Sequence, residues 1–161
     1  RYLLEKCKDV PQAVARLSRL PAASAQTLTL ADASGRIAVI EWSPERFAFA
    51  QSLSEKRAFA CATNAFHLPE MTSWNCPGID DWFSDARYQT LTCALQKDRD
   101  WSPAFAKKLL SGDYGFLCQY DRNTGKDTVW SVLYDLKDHK IHLCEGNPMR
   151  HAFKEDSRFQ F

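Results

Sequence analysis

Cysteine and histidine are the residues of this chain whose side chains can supply a nucleophile, a base or a metal ligand. The 161 residues include six cysteines and four histidines. The cysteines are widely spaced and form no Cys-x-x-Cys pair. His139 and His142 are three positions apart in a strand-like segment, which directs their side chains to opposite faces. The spacing indicates no zinc site, and we expect neither a metal nor a cofactor.

A thiol enzyme is a second chemistry open to these residues. Cys61 and His67 are close in sequence and are candidates for a Cys–His pair. A loop histidine is, however, more often exposed or part of a hydrogen-bonded structure. Several cysteines, such as Cys61 and Cys118, lie in apolar runs, where a thiol behaves as a small hydrophobe. We therefore expect reduced, mostly buried thiols, which favours a cytoplasmic location.

The charge balance and the hydropathy of the chain exclude two classes of partner. The net charge is +1, with 21 Lys and Arg against 20 Asp and Glu spread along the chain. No basic stripe is available to neutralise phosphates, so we expect no nucleic-acid partner. No apolar run approaches the roughly 20 residues that span a bilayer, and residues 1–6 lack the hydrophobic core of a signal peptide. We expect a soluble chain with no membrane partner.

The apolar period predicts where the first helices lie. Between Tyr2 and Leu20 the apolar residues recur at steps of three and four, and the period is interrupted at Pro11. Asp9 is a suitable N-cap for a second helix, because its carboxylate can accept a hydrogen bond from a free backbone amide. We expect that second helix to end near Leu20.

Short runs rich in β-branched and aromatic residues predict an antiparallel meander. The predicted strands cover residues 25–30, 36–42, 46–51 and 57–63. Gly35 closes the first hairpin, and the turn at Ser43 closes the second. The alternation in the second strand indicates a sheet that is buried on much of both faces. A long loop over residues 64–81 follows, and loops of that length are often functional.

The second half of the chain mixes helices with a hairpin. We predict helices over 84–96 and 103–110, the latter capped by Ser102, and a hairpin of strands 128–136 and 140–144. Strands paired in sequence and covered by helices indicate an α+β fold. The length fits a single domain over residues 1–161.

An ordered set of short motifs runs through nearly the whole chain. The set comprises Leu28-Thr29-Leu30-Ala31-Asp32-Ala33-Ser34-Gly35, Val39-Ile40-Glu41-Trp42-Ser43-Pro44, Ala62-Thr63-Asn64-Ala65-Phe66, Ser84-Asp85-Ala86-Arg87-Tyr88, Thr128-Val129-Trp130-Ser131-Val132-Leu133-Tyr134-Asp135-Leu136 and Glu145-Gly146-Asn147-Pro148. This set resembles the C-terminal half of the choloylglycine hydrolase and acyl-coenzyme A:6-aminopenicillanic acid acyltransferase families. The resemblance implies an αββα sandwich of the N-terminal-nucleophile (Ntn) hydrolase type. It also implies an N-terminal Cys, exposed by proteolysis, whose own α-amine is the base.

The resemblance assigns roles to two residues. The Asn at the strand-end motif of those families donates to the oxyanion of the tetrahedral intermediate, which implies that role for Asn64. An Arg stands near the nucleophile, which implies that Arg87 tunes the site. Without the resemblance, Asn64 would merely end a strand, and Arg87 would form a surface ion pair with Asp85 or Asp81. The segment Asn64-Ala65-Phe66-His67 departs from the Asn-His-Phe of the acyltransferase branch, and the polar lining of the pocket is altered if His67 takes over the contacts of that position.

The nucleophile of those families lies in an N-terminal half that this sequence does not contain. The chain begins with Arg1, so we expect a C-terminal fragment of an amidase or acyltransferase that is inactive alone. Its expected partners are the N-terminal half of the same protein and a small amide or acyl substrate. Trp74, Trp82 and Trp101 are candidates to line an apolar acyl pocket.

A non-catalytic scaffold or partner-binding domain of the same fold is the alternative. The scaffold hypothesis predicts a stable monomer that is indifferent to loss of Asn64. The fragment hypothesis predicts a large apolar face, and hence a homo-oligomer or an unstable isolated chain.

Overall fold

A computed structural model describes residues 1–52, 59–78, 82–97 and 101–158. The α-helices are α1 (Tyr2–Lys6), α2 (Val10–Leu17), α3 (Ser84–Lys97) and α4 (Pro103–Leu110). The strands are β1 (Gln26–Ala31), β2 (Ile37–Trp42), β3 (Phe47–Ser52), β4 (Trp130–Asp135), β5 (Lys140–Glu145) and β6 (Lys154–Glu155). Two single turns of 3-10 helix cover Thr72–Trp74 and Arg122–Thr124. Helices with two small antiparallel sheets confirm the predicted α+β class.

The chain forms two compact units, Arg1–Tyr88 and Gln89–Phe161, with the boundary inside α3. Organisation of residues 1–161 as one domain stays a prediction. None of the helices in the described ranges is both long and apolar enough to cross a membrane.

In the first unit, α2 begins as the sequence predicts. The Asp9 carboxylate accepts a hydrogen bond from the backbone N–H of Gln12 at 2.9 Å, so the N-cap is confirmed. The helix ends at Leu17, short of the predicted Leu20. Its buried face packs on β2, and the core comprises Val10, Val14, Leu17, Ala38, Ile40 and Trp42.

The sheet of the first unit has the order β1-β2-β3 and is antiparallel throughout. All three strands confirm the predicted runs to within about one residue at either end. Ile40 and Glu41 of the central strand are 0% and 1% exposed, so neighbouring residues that face opposite sides are both buried. A carboxylate in such a position needs hydrogen-bond donors around it.

The predicted fourth strand is wrong over the part that the structure describes. Residues 59–63 belong to no strand, and residues 57 and 58 lie outside the described ranges. The segment 57–63 contains three alanines, a residue that is depleted in strands because it offers little side chain to pack. Its apolar side chains, including Phe59 and Cys61, line a small cavity instead.

The second unit joins two helices to a hairpin. Ser102 caps α4 as predicted, since its hydroxyl accepts from the Phe105 N–H at 3.2 Å. Ala94, Phe105 and Leu109 form the buried core of the helices. The predicted hairpin is confirmed as β4 and β5, and β6 extends the sheet.

The Glu145-Gly146-Asn147-Pro148 motif holds the second unit together through a buried amide. Asn147 is 1% exposed. Its NH2 group donates to the Cys118 carbonyl and to the Asp127 carboxylate. Its oxygen accepts from the Met149 N–H at 3.0 Å. One amide therefore joins three separate segments.

The six cysteines are free thiols, but the expectation that most are buried is wrong. Cys118 and Cys144 are buried, whereas Cys76 and Cys93 are exposed. Cys93 lies on the outer face of α3, one position before the buried Ala94. An apolar run that folds as a helix exposes part of its circumference, so its cysteines need not be buried.

Candidate active site

Asn64 and Arg87 are in direct contact in the first unit. The Arg87 Nη2 donates to Asn64 Oδ1 at 2.6 Å. The same guanidinium donates from Nε to the Trp82 carbonyl at 2.9 Å and from Nη2 to the Ser84 hydroxyl at 3.4 Å. Arg87 lies in the first turn of α3, so its backbone is held by the helix while its side chain reaches the 64–68 loop.

The contact determines which way the Asn64 amide faces. A guanidinium has donors and no acceptor, so the amide atom that it contacts must be the oxygen. The NH2 group occupies the other branch of the carboxamide and is directed away from Arg87. These acceptors of Arg87 are neutral oxygens, which differs from the ion pair with Asp85 or Asp81 that the sequence offered as an alternative. Asp81 lies outside the described residues.

Asn64 lines a cleft of about 930 Å³. Its lining includes the polar residues Asn64, Ser84 and Asp85 and the aromatic residues Phe66, Trp74 and Trp82. Trp74 and Trp82 are 43% and 45% exposed, so their rings offer uncovered apolar surface to a ligand. Trp101 packs against the helical core of the second unit, and its place in an acyl pocket stays a prediction.

Side chains rather than a β-ladder hold the loop that carries Asn64. The Asn75 amide pairs reciprocally with the backbone of Phe66: its oxygen accepts from the N–H at 2.8 Å, and its NH2 group donates to the carbonyl at 2.9 Å. The Glu41 carboxylate accepts from the N–H groups of His67 at 2.6 Å and of Leu68 at 2.9 Å.

Sequence reasoning assigned no role to Glu41 or Asn75. A carboxylate within the apolar run of β2 was the available signal for Glu41. Asn75, by contrast, lies in a polar loop and carries no such signal.

His67 and Cys61 line a second, smaller cavity of about 270 Å³ in the first unit. The His67 Nε2 lies 2.8 Å from the Thr63 hydroxyl. Burial raises the pKa of the Cys61 thiol to about 11, which leaves it protonated at neutral pH. A protonated thiol is a poor nucleophile, so the Cys61–His67 alternative is not supported. His67 does not line the cleft beside Asn64, and the expected change in polar lining is wrong.

Metal ligands do not converge in the part of the chain with assigned structure. In residues 1–52, 59–78, 82–97 and 101–158, no group of three or more Cys, His, Asp or Glu side chains is arranged to hold an ion. The described lining of the cleft offers the Asn64 amide, the Ser84 hydroxyl, the Asp85 carboxylate and the Cys76 thiol, and the Arg87 guanidinium contacts Asn64 beside it.

A family model described as acyl-coenzyme A:6-aminopenicillanic acid acyl-transferase matches residues 1–150, which is nearly the whole chain. Searches of the curated proteins and of the solved structures found no match. The family is related to the Ntn hydrolases, and the match supports an acyltransferase-type or hydrolase-type function. The resemblance in the ordered motifs is confirmed, and this chain belongs to the acyl-coenzyme A:6-aminopenicillanic acid acyl-transferase family.

Proposed function

We propose that this chain forms the oxyanion-binding part of an enzyme that cleaves a linear amide C–N bond or transfers the acyl group to another acceptor. The hydrogen bond from Arg87 to Asn64 beside the cleft carries the proposal. It orients a neutral NH2 donor away from the guanidinium. A donor fixed before the reaction begins stabilises developing charge without having to reorganise.

The proposed reaction proceeds through a covalent acyl-enzyme. A cysteine sulfur attacks the substrate carbonyl carbon, and the π electrons of the carbonyl move onto its oxygen. The Asn64 NH2 group donates a hydrogen bond to that oxyanion. Collapse of the intermediate restores the carbonyl and expels the amine, which takes up a proton. Water or a second acceptor then attacks the thioester, releases the acyl group and returns the thiol.

We propose that the sulfur comes from an N-terminal cysteine on polypeptide outside this sequence, with its own α-amine as the base. Family membership supports this assignment, and the high pKa of Cys61 argues against that internal thiol. Cys76 is exposed and lines the cleft, so it is the internal thiol to test. The free cysteines fit a reducing compartment, and we propose a cytoplasmic protein.

The test uses the full-length gene product and the 4-nitroanilides of acetic, hexanoic and benzoic acid. Asn64→Ala should lower kcat by roughly 10²–10³-fold, about 3 kcal/mol of transition-state stabilisation, with KM little changed. Asn123→Ala, which removes an exposed amide from the second unit, is the matched control and should retain wild-type kcat. Cys76→Ala should also remain active if the sulfur is supplied from elsewhere.

Equal rates for wild type and Asn64→Ala would overturn the proposed role of Asn64. Absence of turnover with every anilide, together with a stable monomeric chain, would favour the non-catalytic scaffold. Association of this chain with an N-terminal segment, or with a second copy of itself, is expected under the enzyme proposal. Sedimentation velocity measures that association directly.

A further inference from the structure

Glu41 is a buried carboxylate to which the proposed reaction assigns no role. It lies on the central strand β2, opposite Thr27 on β1 and Ala48 on β3, and it is 1% exposed. Placing an ionised carboxylate inside a sheet is costly unless donors surround it. Both of its oxygens are engaged, one by the His67 N–H and the other by the Leu68 N–H.

Together, the side chains of Asn75 and Glu41 accept hydrogen bonds from a run of three consecutive backbone N–H groups. Asn75 accepts from the N–H of Phe66, and Glu41 accepts from the next two, at 67 and 68. Hydrogen bonds to an ionised acceptor are about twice as strong as bonds between neutral groups. This run begins two positions after Asn64, so it sets the path of the backbone from which the Asn64 side chain projects.

We propose that Glu41 is a positioning residue for the oxyanion donor Asn64, acting through the backbone of residues 66–68. The inference rests on the proposed function of Asn64. Arg87 sets the rotation of the Asn64 carboxamide, whereas Glu41 sets the position of the backbone that carries the Asn64 side chain. The position of an oxyanion donor matters because a misplacement of about 1 Å can cost roughly 10²-fold in rate.

The sharpest variant is Glu41→Gln, which keeps the volume of the side chain. Its NH2 group would face a backbone N–H, donor against donor, so one of the two bonds is lost. We expect kcat to fall roughly tenfold with KM unchanged, because the group that moves acts on the transition state. Ser43→Ala is the control, since it removes a buried hydroxyl that accepts from the Glu45 and Arg46 N–H groups in the adjoining turn. It should leave kcat unchanged.

A double-mutant cycle with Asn64→Ala distinguishes an effect of Glu41 on the position of Asn64 from a general disturbance of the structure. With the amide absent, Glu41→Gln should lower kcat by less than about twofold, because nothing remains to be positioned. An equal fall in both backgrounds would overturn the inference and leave the proposed function standing. If Asn64→Ala alone has no effect on kcat, the proposed function fails, and the inference fails with it.

A second variant covers the case in which Glu41→Gln does not fold. Asn75→Ala removes both bonds to Phe66 from a half-buried loop position. The same cycle applies: a fall in kcat that disappears in the Asn64→Ala background supports positioning of the loop. A fall that persists there assigns Asn75 a separate role and overturns the inference.

Discussion

The imidazole of His67 lies flat against the phenol ring of Tyr88, with ring centroids 3.6 Å apart and planes inclined by 12°. The stack joins the loop after Asn64 to the first turns of α3, where Arg87 also lies. Burial, followed by the nearby Cys61 and Glu41, raises the pKa of Tyr88, so the phenol stays neutral at physiological pH. We interpret the stacked rings as a structural contact between the loop and the helix. Such a role accounts for His67 lying near Cys61 without any part in thiol catalysis.

The reactivity of Cys61 tests that explanation. With a pKa of about 11, its thiolate fraction at pH 7 is on the order of 10²-fold below that of an ordinary thiol. Iodoacetamide should therefore label Cys61 far more slowly than the exposed Cys76, as followed by peptide mass spectrometry. The rate at Cys61 should keep rising as the pH is raised to about 11. Equal rates for Cys61 and the exposed control Cys93 at pH 7 would contradict a protonated, shielded thiol.

Replacing Arg87 tests how the Asn64 amide is oriented. Arg87→Lys keeps the charge but loses the fork that reaches Asn64, Trp82 and Ser84 together. We expect both Arg87→Lys and Arg87→Ala to lower kcat on acyl 4-nitroanilides by roughly tenfold or more, because the amide can then turn its oxygen toward the oxyanion. Arg158→Ala, which removes a surface ion pair with Asp156, is the control. Wild-type kcat in Arg87→Lys would show that charge alone is needed.

The Asp32 carboxylate makes the first unit sensitive to acid. The Ser34 hydroxyl, and then the Val10 N–H, lower the pKa of Asp32 in the folded chain well below its ordinary value. Stabilisation from Asp32 is thus present above about pH 4, the value in an unfolded chain, and is lost as the pH falls further toward the folded pKa.

Thermal unfolding of Asp32→Asn and wild type from pH 7 to pH 2 measures this dependence. The Tm of the variant should be lower at pH 7, and the difference should shrink below about pH 4. Ser34→Ala, which removes the hydrogen bond that contributes most to lowering the pKa of Asp32, should show a smaller difference of the same sign. A difference that stays constant down to pH 2 would contradict the assignment.

Because Asn147 is buried in the second unit and does not line the cleft, we expect its replacement to lower stability without changing the chemistry of the cleft. Asn147→Ala leaves the Cys118 carbonyl and the Met149 N–H without their partner inside the second unit. We expect a loss of about 1–3 kcal/mol or more in the free energy of unfolding, measured by urea denaturation. Asn123→Ala, at an exposed position, should change it by less than about 0.5 kcal/mol. Similar values for the two variants would show that the network contributes little.

Local patterns along the chain were sufficient to predict most of its elements. The caps at Asp9 and Ser102, three strands of the meander and the β4–β5 hairpin all follow from residues within a few positions of one another. The ordered motifs were also sufficient to recognise the family. Residues 59–63 were misassigned because a loop and a strand can share the same alternation, and only pairing with a neighbour distinguishes them.

The site, in contrast, depends on residues that are far apart in sequence. Arg87 and Asn64 are 23 positions apart, and Glu41 lies 26 and 27 positions from the two amides that it holds. The motifs named Asn64 and Arg87 individually, and their catalytic roles stay predictions. Their contact, and the buried carboxylate behind it, were decided by the tertiary structure. A hydrogen bond forms between groups that are close in space. Periodicity along the chain carries no information about which distant side chain will lie within hydrogen-bond distance of a given group.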